Sequence, residues 1–157
     1  MEIFEFRVEQ FLHVGLQKAW DFFSDAENLS VITPPELQFK ILTPVKDQEI
    51  YEGMLIKYKV RPLFNVPLSW QTQISKVEKP YLFVDRQLKG PYKTWEHTHR
   101  FIEKENGILM QDSVKYSLPF GVIGKLTHSM IVRQKIENIF AYRRQILNQL
   151  FNGKDLN

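Results

Sequence analysis

The chain has 157 residues, with 43% hydrophobic and 25% charged side chains and a net charge of +3. That length favours one domain over residues 1–157, and the composition excludes a disordered, collagen-like or low-complexity chain. Without cysteine there are no disulfides, thiolate nucleophiles or cysteine-held metals, and a charge this small does not argue for nucleic acid.

The N-terminal segment Met1-Glu2-Ile3-Phe4-Glu5 has no basic region followed by an apolar run. No stretch approaches the ~20 apolar residues of a membrane span. The expectation is therefore a cytoplasmic chain. Residues 3–12 alternate, with Phe4, Phe6 and Val8 against Glu5, Arg7 and Glu9, which is the period of a half-buried strand. From Leu16 the period becomes helical, since Leu16, Ala19, Trp20 and Phe23 share one face. A second helical fragment around Ala26–Ile32 stops at Thr33-Pro34-Pro35, because the residue before a proline avoids the α region.

Six strands are predicted next: Leu37–Leu42, Met54–Arg61, Leu68–Lys76, Tyr81–Leu88, Lys93–Glu103 and Ile108–Leu118. Their short separations imply antiparallel hairpins. Asn106-Gly107 is the best turn signal and predicts a two-residue type I′ loop. Past Gly121 and Gly124 a helical stripe of Val132, Ile136, Ile139, Phe140, Ile146, Leu147 and Leu150 runs to a stop at Gly153. Roughly 25 helical residues span about 37 Å, enough to cross a whole sheet. The order predicts an α+β fold with a curved antiparallel sheet of about seven strands wrapped around the long C-terminal helix. Side chains that fail to fill the space between them would leave a ligand cavity.

Three stretches carry a resemblance to a known family. They are Phe83-Val84-Asp85-Arg86-Gln87-Leu88-Lys89-Gly90-Pro91-Tyr92 followed by Trp95-Glu96-His97-Thr98-His99-Arg100-Phe101, then Asp112-Ser113-Val114-Lys115-Tyr116 with Leu118-Pro119-Phe120-Gly121, and Ile139-Phe140-Ala141-Tyr142-Arg143. Over essentially the whole chain the sequence resembles the ligand-binding SRPBCC proteins of the START and Bet v 1-like (polyketide cyclase/dehydrase-like) superfamily. The resemblance implies a helix-grip fold and a cavity for a lipid, isoprenoid or polyketide-like molecule. It implies no reaction and no cofactor.

On the predicted strand 93–103, Trp95, His97, His99 and Phe101 share a face. An Asn106-Gly107 turn would pair Phe101 with Asp112, His99 with Val114, His97 with Tyr116 and Trp95 with Leu118. That face is the candidate cavity wall. His97 and His99 are read as structural imidazoles or as polar groups that orient a ligand, and with Tyr116 they are the candidates for acid–base catalysis. Asp112 as a third metal ligand is a weak pattern, because His-x-His has no second partner motif here, and no metal is assigned.

Trp70, Phe83 and Trp95 are aromatic candidates for the lining. Asp85 shares a face with Phe83, where an inward carboxylate is costly unless paired. Arg86 reads as a surface residue in an ion pair, with an anchor for a ligand carboxylate as the alternative. Arg143 occupies an apolar position of the helix stripe, as a snorkelling side chain or as a clamp for a ligand carboxylate or phosphate. The leading expectation is a binding module for a hydrophobic small molecule, with no nucleic-acid partner. A cyclase- or dehydratase-like enzyme and a ligand-dependent regulatory protein are the alternatives. Transient contact with a membrane surface through the apolar loop Pro62–Pro67 is a secondary candidate.

Overall fold

In the computed structural model the described residues are 1–62, 65–119 and 125–153, with the side chains of 125–128 left aside. Strand β1 (Phe4–Leu12) leads into helix α1 (Leu16–Phe23). Two short 3-10 turns follow, at Ala26–Leu29 and Pro35–Leu37. Then come β2 (Lys40–Ile41), β3 (Leu55–Val60), β4 (Leu68–Glu78), β5 (Leu82–Lys89), β6 (Thr94–Lys104), β7 (Gly107–Ser117) and helix α2 (Lys125–Phe151). The strands form one antiparallel, curved sheet in the order β1-β7-β6-β5-β4-β3-β2.

Alternation in the sequence becomes alternation in burial. Along β7, Ile108, Met110, Asp112, Val114 and Tyr116 are buried, while the residues between them are only partly covered or exposed. Register shifts between β4 and β5 at Gln71/Thr72 and Ile74/Lys76 mark irregularities of the kind that bend a sheet. One side of the concavity is closed by α1, whose Trp20 is fully buried against Phe83 and Phe101. The other is closed by α2, which buries Val132, Ile136, Phe140 and Leu147.

Three expectations need correction. The segment 37–42 contributes only two strand residues, because Pro35–Leu37 forms a 3-10 turn and Gln38 adopts a left-handed conformation. Leu150 is exposed and leaves the buried stripe of α2. The turn between β6 and β7 is Glu105-Asn106, with Asn106 at φ 67° and Lys104 paired to Gly107. The pairing slips by two residues from the expected one, so Phe101 faces Met110, His99 faces Asp112, His97 faces Val114 and Trp95 faces Tyr116. A slip of two keeps every side chain on its predicted face.

Gly107 is needed for a different reason than a turn. A Cβ there would overlap the Leu12 carbonyl oxygen and crowd the Phe11 ring, so only glycine lets β7 begin against the end of β1. Gly107→Ala is expected to lower stability by about 1–3 kcal/mol through a forced backbone shift. Urea denaturation checks this; a change below ~0.5 kcal/mol would show that the strand end yields freely.

Gly121 and Gly124 lie outside the described residues, as do Leu63 and Phe64 of the candidate membrane-contact loop. Among the described residues no helix is long and apolar enough to cross a membrane.

Candidate functional site

Between the sheet and α2 lies a cavity of about 190 Å³. Its walls come from Ile56, Tyr58 and Val60 on β3, Trp70, Thr72 and Ile74 on β4, and Ile136, Ile139 and Phe140 on α2. Tyr58 and Tyr92 carry hydroxyls whose acidity is suppressed, chiefly by burial, so both remain neutral phenols.

One part of the wall is charged. His97 and His99 sit two residues apart on β6, both 6% exposed, with ring centroids 3.6 Å apart. Asp85 on β5 and Asp112 on β7 flank them. The pairing crosses the direct register. His97 Nε2 lies 2.7 Å from Asp112 Oδ1, and His99 Nε2 lies 2.8 Å from Asp85 Oδ2. The remaining ring nitrogens lie near the opposite carboxylates: His97 Nδ1 is 3.8 Å from Asp85 Oδ2, and His99 Nδ1 is 3.4 Å from Asp112 Oδ1. Two imidazoles and two carboxylates therefore close a ring, with Phe83 stacked on His99 at 4.1 Å and the edge of Phe140 against His97.

Arg143 reaches this ring from α2. It is 6% exposed, so it does not snorkel to solvent; its guanidinium lies between the Phe23 and Phe140 rings with Nη2 3.7 Å from Asp112 Oδ1. Burial alone would raise the pKa of Asp112, but the Arg143 charge and the His97 hydrogen bond outweigh it and hold the carboxyl well below its usual range. Asp85 lacks so close a cation, and burial pushes it up to about 6 despite attraction from His97 and Arg143. Burial and the neighbouring His97 push His99 far down, which keeps its imidazole neutral.

Of the residues singled out in the sequence, Trp70, Phe83, Trp95, His97, His99 and Arg143 line the cavity. Phe101, Asp112 and Tyr116 do not. Phe101 packs with Trp20 and Phe23 beneath α1, Asp112 stands behind the histidines, and Tyr116 packs against Phe4, Tyr92 and Trp95. Tyr116 pairs with Trp95, not His97, which removes the geometry on which its acid–base role depended. Arg86 donates to Gln73 Oε1 and forms no ion pair with a carboxylate among the described residues. Gln87, on the same β5 face as Phe83 and Asp85, is satisfied by the Tyr92 backbone. Asp85 is the site residue that the sequence reading did not select. Its signal was the two-residue spacing from Phe83.

No family model and no curated protein matches the chain. Solved structures do. A START superfamily protein from Mycobacterium smegmatis superposes with a TM-score of 0.67 at 14% identity, over 94% of this chain and 98% of that one. The chain has the helix-grip fold. The ginseng major latex-like protein 151 from Panax ginseng gives 0.67 at 9% identity, over 95% and 97% of the two chains. The di-domain ARO/CYC StfQ from the steffimycin biosynthetic pathway gives 0.70 at 8% identity; this chain is covered to 96% but spans only 51% of StfQ.

Proposed function

We propose that this helix-grip chain binds a hydrophobic small molecule of lipid, isoprenoid or polyketide-like character in the cavity between sheet and α2. The observation that carries the reading is an aromatic and aliphatic cavity with Asp85, His97, His99 and Arg143 clustered in one part of its wall. An apolar wall supplies affinity, and a small set of fixed polar groups sets orientation. Two buried donors beside that wall, Trp70 Nε1 and Arg143 Nε, have no hydrogen-bond partner, and a buried donor left unpaired costs about 1–3 kcal/mol. A small side-chain shift would let a ligand oxygen satisfy them. The likeness to a START protein and to StfQ supports a cavity of this kind, without specifying its occupant.

Native mass spectrometry of the purified chain is expected to show a co-purified apolar compound, or fatty acids and ring compounds should stabilise it in thermal-shift assays. Ile56→Trp places a large ring in the cavity and should weaken binding of the same compound at least ~10-fold, about 1.4 kcal/mol, with Tm near the parental value. Neither co-purified compound nor stabilisation by any probe would sink the reading.

A further inference from the structure

We propose that Asp85, His97 and His99 form a binding site for one divalent transition-metal ion of the zinc, iron(II) or cobalt(II) kind, with Asp112 as the carboxylate that orients both histidines from behind. The ligand atoms of the first three residues lie within 4.8 Å of one another. Asp85 Oδ2 is 2.8 Å from His99 Nε2 and 3.8 Å from His97 Nδ1. Those separations bracket the edge of about 3.4 Å that a tetrahedron of ~2.1 Å metal–ligand bonds requires. Small side-chain movements admit the ion.

What distinguishes the arrangement from an ordinary buried ion-pair network is the division of labour around it. With its proton on Nε2, 2.7 Å from Asp112 Oδ1, a neutral His97 would hold the lone pair of Nδ1 toward Asp85. His99 can do the mirror image: with its proton on Nδ1, 3.4 Å from the same Asp112 oxygen, the lone pair of Nε2 faces Asp85. In the free chain that Nδ1 has no hydrogen-bond partner, nor has Asp112 Oδ2. Metal-bound histidines characteristically give their second nitrogen to a carboxylate in this manner. With His99 protonated on Nδ1, one carboxylate would serve both rings.

Charge and position agree with the geometry. Arg143 lies 3.7 Å from Asp112, and among the described residues no lysine or arginine lies within ion-pair distance of Asp85, so Asp85 is the carboxylate a cation would pair with. Asp85, His97 and His99 line the cavity and Asp112 does not, so the ion would sit on the cavity side with its remaining coordination positions open to a molecule there. Two imidazoles with one carboxylate suit zinc or iron(II) rather than magnesium or calcium, which prefer oxygen ligands throughout. The site stands whether or not an apolar molecule occupies the cavity.

The test uses the chelator-treated full chain and metal alone. Cobalt(II) is expected to bind at one equivalent with visible d–d absorption, and zinc should displace it. In wild-type protein, zinc should move the ring ¹⁵N resonances of His97 and His99 and leave those of the exposed His13 in place. Asp112→Asn should weaken binding about 10–100-fold, and His99→Gln should abolish the cobalt spectrum. Absence of saturable binding, zinc shifts confined to His13, or a cobalt spectrum that persists in His99→Gln would each overturn the proposal. The resonance experiment needs no variant, so it decides the matter even if His99→Gln does not fold.

Discussion

Asp112→Ala is expected to destabilise the chain by about 3–5 kcal/mol, the range for removing one partner of a buried ion pair. Asp112 is 2% exposed, accepts from His97 and lies 3.7 Å from the guanidinium of Arg143, which is itself 6% exposed. Removing the carboxylate strands that guanidinium between Phe23 and Phe140 with no described counter-charge as near. Domains have total stabilities of about 5–15 kcal/mol, so the variant would sit close to the edge of folding. Asp112→Ala/Arg143→Met removes both charges and should recover at least half of the loss, since an apolar pair in place of a buried ion pair is often neutral. Urea denaturation in the presence of chelator measures both. A single-variant loss below ~1 kcal/mol would mean that Arg143 finds solvent once its partner is gone.

The sequence carried the element order because that information is local. The two-residue period of β1 and β7 and the helical stripe ending near Gly153 follow from single-strand and single-helix geometry. The pairing of β6 with β7 is not local. Asn106-Gly107 signals a turn, but the turn lies one residue earlier because the close approach of Gly107 to Leu12, on a strand about a hundred residues away, fixes where β7 begins. The face of each side chain survived that slip, and so His97, His99 and Asp112 were gathered correctly while their partners were not. Asp85 was legible by its spacing from Phe83, yet its significance comes from the β5–β6 pairing. Arg143 shows the same boundary. Its place on the apolar stripe is written in the helix period, whereas its pairing with Asp112 depends on how α2 crosses the sheet.

The 21 aromatic residues divide between filling and surrounding, and stability should separate the two roles. Trp20 is fully buried, meets Phe83 and Phe101 edge-on, and donates Nε1–H to Glu49 at 2.6 Å. Trp20→Ala should cost about 3–5 kcal/mol, because surrounding side chains on α1, β5 and β6 cannot close over the space it leaves. Trp70 also packs against rings, those of Tyr58, Tyr92 and Trp95, but it borders the cavity and its Nε1 has no partner to lose. A side chain beside a void already lacks contacts on that side, so Trp70→Ala should cost about half as much. Urea denaturation of both variants, free of ligand, gives the comparison. With a saturating cavity ligand present, the parent gains stability by mass action and Trp70→Ala gains less, while Trp20→Ala, if folded, gains as much as the parent. Equal losses for the two variants without ligand would mean that Trp70 is a core residue and that the space beside it closes in solution.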